Sequence, residues 1–188
     1  RYRYVTGVQT CALPISFALA LLLAMGWKNS HLHEFIIDDK HYGIMDESAQ
    51  DMLAEMPMED ETEYEIRDFS EKKLKKFVFL YDFGDGWEHD VVFERAYAAE
   101  SNVFYPNCIE GARNCPPEDC GGTGGYYELA EKLKNPDDDD EYERLLGWLG
   151  GRYDTEFFNT DVINSTIKKI DAYERFGFEG DESAWNDI

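Results

Sequence analysis

The chain is poor in positive charge. Its 18 Lys and Arg stand against 40 Asp and Glu, for a formal charge of −22. Affinity for nucleic-acid backbones comes from Lys and Arg displacing counterions, so this balance excludes non-specific nucleic-acid binding. It favours solubility and suits a cationic partner, whether protein or small molecule. Long apolar runs are also missing. Residues 16–26 form an apolar stretch after a basic start, which imitates a signal peptide. At about eleven residues it falls short of the roughly 20 needed to cross a bilayer. No membrane partner is expected, and a cytoplasmic, reducing location follows by default. Cysteine is sparse. Cys108, Cys115 and Cys120 share one loop region, and Cys11 stands apart. Three cysteines are an odd number, which is poor evidence for a disulfide framework. No G-x-S-x-G, P-loop or H-E-x-x-H occurs, so the commonest hydrolase and nucleotide signatures are absent.

What is present centres on residues 77–125. Phe77, Phe79, Tyr81 and Phe83 alternate along one stretch, and Trp87, His89, Val91 and Phe93 along the next. That is the period of two expected of strands. Asp85-Gly86 between them is a hairpin-turn signal, because glycine accepts positive φ without steric cost. Beyond the hairpin comes Cys115-Pro116-Pro117-Glu118-Asp119-Cys120-Gly121-Gly122. It combines a stiff proline start, two carboxylates and a permissive glycine end.

YDFGDGWEH followed by CPPEDCGGTGGY resembles the plasmid pRiA4b ORF-three-like family. The resemblance extends from GWKNSHLHEFIIDDKHYG, residues 26–43, to GWLGGRYDTEFFNTDVIN, residues 147–164. It implies a compact α+β domain and an association with plasmids and insertion elements. It implies no established catalytic activity. Members carry two strands before the first helix, whereas residues 1–16 here resemble a translated sequencing adapter. That stretch is set aside as non-native, with the N-terminal strands taken as missing. Residues 17–176 are read as one domain and 177–188 as a tail.

The expected architecture is α+β, a small, mainly antiparallel sheet with helices packed on one face and at the C-terminal end. A buried helix is expected over 17–27, closed by Gly26. Strands are expected over 31–38 and 63–69, with a short strand or loop after the turn at 40–43. The acidic segment 46–58 reads as a surface excursion and 71–75 as a helical turn. A long irregular connection is expected over 98–123. Further helices are expected over 125–133, 142–149 and 161–176.

Three groups could carry chemistry. His31 and His33 lie two apart on one strand, and His89 lies on a neighbouring strand beside Trp87. If the strands pair, the imidazoles could converge as metal ligands or remain hydrogen-bonded core residues. Cys108, Cys115 and Cys120 could hold zinc, although only their second gap suits the usual ligand spacing. Otherwise they pack as small hydrophobes. Glu118 and Asp119 oppose an anion and suit a cationic group. Asp82-Phe83-Gly84 copies the kinase metal-binding tripeptide by chance, since no companion kinase motif accompanies it.

A ligand cleft is therefore expected between His31, His33, Asp85, Trp87, His89 and the loop residues Pro116, Pro117, Glu118, Asp119, Gly121 and Gly122. In it, His33 and His89 would lie close enough to share a ligand or a bridging water. The favoured role is a non-enzymatic binding or accessory module, with no cofactor required. The alternative is a metal-dependent hydrolase using the histidines with Asp85, Glu118 and Asp119.

Overall fold

The computed structural model describes residues 3–7, 12–44, 57–70, 75–96, 98–134 and 139–170. Most of the acidic segment 46–58 lies outside the described residues. So do most of the turn at 71–75 and the end of the final helix with the tail.

One helix is shared by two layers. Helix α1 (Pro14–Met25) is built from Ala, Leu and Met, with a proline in its first turn, where the missing N–H costs nothing. It starts at Pro14 rather than Phe17, so its first turn lies within the stretch set aside above. Gly26 ends it at φ 81°, and the N–H groups of Gly26 and Trp27 return to the carbonyls of Leu23 and Leu22. Phe17, Ala18 and Leu22 join Phe35, Phe79 and Tyr81 in one core cluster. Leu19, Ala20, Leu23 and Ala24 join Cys108, Ile167 and Ile170 in another. A helix apolar all round is thus buried all round, as its composition demands.

The first layer is a five-stranded sheet. Its strands are β2 (His33–Ile37), β3 (Lys40–Gly43), β4 (Met58–Asp60), β5 (Lys76–Tyr81) and β6 (Trp87–Val92), in the order β4-β3-β2-β5-β6. Every pairing is antiparallel except β3 with β4. Phe79 lies opposite both Phe35 and His89, and Tyr81 opposite both His33 and Trp87. These residues therefore share the face that α1 covers. Phe35 and Phe79 pack with ring centroids 5.0 Å apart, and Phe17 of α1 stacks on Phe35 at 6.0 Å. Each buried aromatic contributes about 1.5–3 kcal/mol through removal from water.

The second layer is a separate two-stranded sheet. There β1 (Arg3–Gly7) pairs with β7 (Asn107–Ala112), and α5 (Thr160–Ile167) packs against it. A strand thus stands before α1, outside the five-stranded sheet. Asn164 of α5 clamps β7: the Cys108 N–H donates to its Oδ1 at 2.7 Å, and its Nδ2 donates to the Cys108 carbonyl at 2.9 Å. In sequence, α3 (Gly122–Lys134) and α4 (Asp139–Trp148) run between β7 and α5. The class is α+β with a mostly antiparallel sheet, as expected.

Three expected elements are corrected. Residues 40–43 are not a turn but strand β3, since the turn falls at Asp38 and Asp39, both at positive φ. Residues 63–69 are not a strand. A 3-10 turn (Glu61–Glu63) is followed by the short helix α2 (Ile66–Ser70). Asp60 caps the turn by accepting from the Thr62 N–H at 2.9 Å, and Asp68 accepts from the Glu65 N–H at 2.8 Å. Such local carboxylate caps favour helical turns over strands. Ile66 and Phe69, three apart, then bury one helical face. The long connection 98–123 is not wholly irregular either, because it contains β7. That strand pairs through its backbone and buries Cys108 while Ile109 is exposed, so it offered little apolar alternation to read.

Candidate functional site

The Cys/Pro loop, residues 115–122, folds back over the end of the β5–β6 hairpin. Its anchors come from three directions. The Trp27 indole N–H, just past α1, donates to the Pro116 carbonyl at 2.8 Å. The Tyr153 hydroxyl donates to the Cys115 carbonyl. From the hairpin turn, Asp85 accepts from the Gly121 N–H at 3.2 Å. Gly122, at φ +65°, lies so close that a Cβ there would stand 2.5 Å from the Asp85 carbonyl oxygen. Glycine is required on both counts.

Glu118 is the central anchor. Its Oε1 accepts from the Tyr81 hydroxyl at 2.5 Å and the Lys28 N–H at 3.1 Å, and its Oε2 from the Ser30 hydroxyl at 3.5 Å. Tyr81 in turn accepts from the Ser30 N–H at 3.0 Å. Burial, and then the bond to Glu118, hold the Tyr81 phenol well above its usual range, so it remains a donor. Glu118 thus ties the loop to the segment before β2.

The space beneath is filled by the protein itself. Trp27 stacks on Tyr81 at 4.9 Å, lies 5.8 Å from Trp87 and meets the His89 ring edge-on at 5.4 Å. His89 directs Nδ1 at the Phe79 carbonyl, 3.1 Å away, and burial lowers its pKa, which favours the neutral ring. His33 directs Nε2 at the Glu61 carboxylate at 3.1 Å, with both side chains buried. His33 and His89 share one sheet face as expected. The Phe79 ring packs against both, 5.6 Å from each. Each imidazole is committed to its own partner. Of the two readings open for the three histidines, His33 and His89 follow that of hydrogen-bonded core residues, and the three do not form one ligand set.

The cysteines do not converge either. Cys108 is buried in the α1–β7–α5 cluster, while Cys115 and Cys120 pack with the sheet cluster. All are free. Burial pushes the Cys115 thiol well up, and burial with the nearby Asp85 charge pushes Cys120 up to about 11. With Cys108 in one core cluster and Cys115 and Cys120 in the other, the three do not come together as one zinc ligand set and pack as small apolar residues instead.

One group does come together. His31 Nε2 lies 3.1 Å from Asp119 Oδ1 and 3.6 Å from Asp82 Oδ2. Among the described residues this is the one cluster of three or more side chains placed as metal ligands would be, with donor atoms all within 4.8 Å. Asp82 is nine-tenths buried, whereas Asp119 is 68% exposed. Asp82 Oδ1 accepts from the Gly84 and Asp85 N–H groups at 3.0 and 3.2 Å, which turns Oδ2 toward His31. Both aspartates hold left-handed backbone, at φ +55° and +57°. Aspartate tolerates that region better than most residues.

Sequence reasoning missed four contributors. Asp82 was visible only as part of a chance tripeptide, and its carboxylate at the hairpin entry was the available signal. Trp27 looked like a helix end and Tyr81 like one more strand aromatic, while Glu61 fell between the segments that the sequence marked. Nothing local marked them as partners of residues 28 to 89 positions away.

Residues 12–162, which hold α1, the sheet and the whole loop cluster, match the family model described as "Plasmid pRiA4b ORF-3-like protein". The chain belongs to the plasmid pRiA4b ORF-3-like family. It is similar to the uncharacterized protein y4hQ of Sinorhizobium fredii (strain NBRC 101917 / NGR234), at 37% identity over 153 residues. That alignment covers 81% of this chain and 76% of the relative. It is also similar to the crystal structure of the protein of unknown function MM3350 from Methanosarcina mazei Go1. The two are 30% identical with a TM-score of 0.71, over 85% of this chain and 86% of the other. No helix among the described residues is long and apolar enough to cross a membrane.

Proposed function

We propose that this pRiA4b ORF-3-like domain is a non-enzymatic binding module that takes a cationic group at the rim formed by His31, Asp82 and Asp119. Its association with plasmids or other mobile elements follows from the family alone. The carrying observation is a contrast within the site. His33 and His89 are engaged internally and Trp27 fills the space between the aromatics, while Asp119 faces solvent beside the partly exposed His31 ring. A chain of charge −22 adds a long-range attraction for cations. The histidines expected to support a hydrolase have no common reacting point, so the binding reading is preferred.

Titration of isotopically labelled protein with a tri-arginine amide, followed by amide NMR, tests this. Shifts concentrated in residues 28–31, 82–86 and 118–122 are expected. Asp119→Asn should weaken binding at least about fivefold, while neutralising the acidic run at 137–140 leaves it unchanged. Shifts spread over the whole acidic surface, or indifference to Asp119→Asn, would overturn the proposal.

A further inference from the structure

We propose that His31, Asp82 and Asp119 together form a binding site for a divalent transition-metal ion. The inference concerns the same rim as the binding module and names its ligand. It rests on three observations. The first is spacing. Metal–nitrogen and metal–oxygen bonds of about 2.0–2.2 Å place neighbouring donors roughly 3–3.5 Å apart. His31 Nε2 lies 3.1 Å from Asp119 Oδ1 and 3.6 Å from Asp82 Oδ2.

The second is an orphan. His31 Nε2 is shut off from solvent and forms no hydrogen bond, despite the carboxylate oxygen 3.1 Å away. At that distance the missing bond is one of direction: the oxygen lies off the line an N–H would take. A buried ring nitrogen without a partner is costly unless something else satisfies it. A metal ion placed between the nitrogen and the two carboxylates would do so and would offset their mutual repulsion.

The third is support. Asp82 is fixed by two backbone N–H groups on its other oxygen, and the His31 ring packs edge-on against Tyr81 at 5.8 Å. Tyr81 and Glu118 in turn hold the loop that carries Asp119. Ligands oriented by such outer contacts are what a metal site requires. One imidazole with two carboxylates suits zinc, manganese, iron, cobalt or nickel better than calcium, which prefers oxygen alone. Asp119 faces solvent, so remaining coordination positions would be open to water or to a ligand group.

The test uses the full chain, stripped with a chelator and titrated calorimetrically with Zn²⁺ and, separately, Mn²⁺. One equivalent should bind with micromolar or tighter affinity. His31→Gln, Asp82→Asn and Asp119→Asn should each weaken binding at least about tenfold, with circular dichroism unchanged. Cys108→Ser should leave binding intact. Mn²⁺ should broaden amide resonances of residues 30–32, 82–85 and 118–120 first. Absence of stoichiometric binding, retention in His31→Gln, or loss in Cys108→Ser would each overturn the metal site. Tri-arginine binding that persists with excess chelator separates the two readings: if it survives while metal fails to bind, only the metal proposal falls.

Discussion

His31 and His33 stand two residues apart, and each brings Nε2 to within 3.1 Å of a carboxylate oxygen. The two pairs could hardly differ more. The His33–Glu61 pair is shut inside the protein, with side chains 4% and 0% exposed. It fastens the 3-10 turn to the end of the sheet. The His31–Asp119 pair lies at the surface, with side chains 29% and 68% exposed, yet His31 Nε2 itself is covered and makes no hydrogen bond. Equal distances therefore hide opposite roles. A satisfied, buried imidazole is a structural fastener, while an unsatisfied one at a rim is poised for something outside the chain.

The strongest way to break this comparison is to remove each imidazole in turn. His33→Ala leaves the Glu61 carboxyl buried without a partner and should cost about 3–5 kcal/mol of stability. His31→Ala should change stability by about 0.5 kcal/mol or less. The double variant His33→Leu with Glu61→Leu should recover most of the loss, since an apolar pair needs no partner. Urea denaturation checks all three. Equal effects at His31 and His33 would erase the distinction.

Glu118→Ala comes next, at about 2–3 kcal/mol, because Tyr81 and the Lys28 N–H lose a common acceptor. Hydrogen exchange should show residues 116–122 losing protection while the His33 environment keeps it. Gly122→Ala should cost about 2 kcal/mol through left-handed backbone and collision with the Asp85 carbonyl, and should weaken ligand binding at the rim. Thermal melts with the tri-arginine titration measure both.

The smallest effect sharpens the picture with a third imidazole. Burial lowers the His89 pKa. In that case the unfolded chain takes up a proton that the folded chain refuses. The stability is fully present above the unfolded value of about 6.5 and is lost as pH falls from there through the folded value. His89→Gln should flatten that part of the acid limb in urea midpoints measured against pH. An unchanged slope would remove His89 from the closed class.

Much of the fold was legible because it is written locally. The alternation at Phe77–Tyr81 and Trp87–Val91, the Asp85-Gly86 turn and the all-apolar run of α1 each fix their element without help from elsewhere. The strand β7 and the helical turns at 61–70 were not legible. One depends on its backbone partner, and the others on carboxylate caps within a run of acids. In the site, the meeting of loop and hairpin could be anticipated from their nearness along the chain. Its ligand geometry could not. Alternation placed His33 on the inward face, but only the tertiary pairing with Glu61 shows that its nitrogen is used up. His31 gains its aspartates from a turn and a loop 51 and 88 positions away.

The amide of Asn164 has a consequence beyond packing. By taking both the N–H and the carbonyl of Cys108, it occupies the side of β7 that faces away from β1. An uncovered strand margin is a template on which another chain can add itself, the starting point of runaway assembly. Here a single side chain imitates the missing neighbour and ends the series, so this small sheet stays two strands wide at that point.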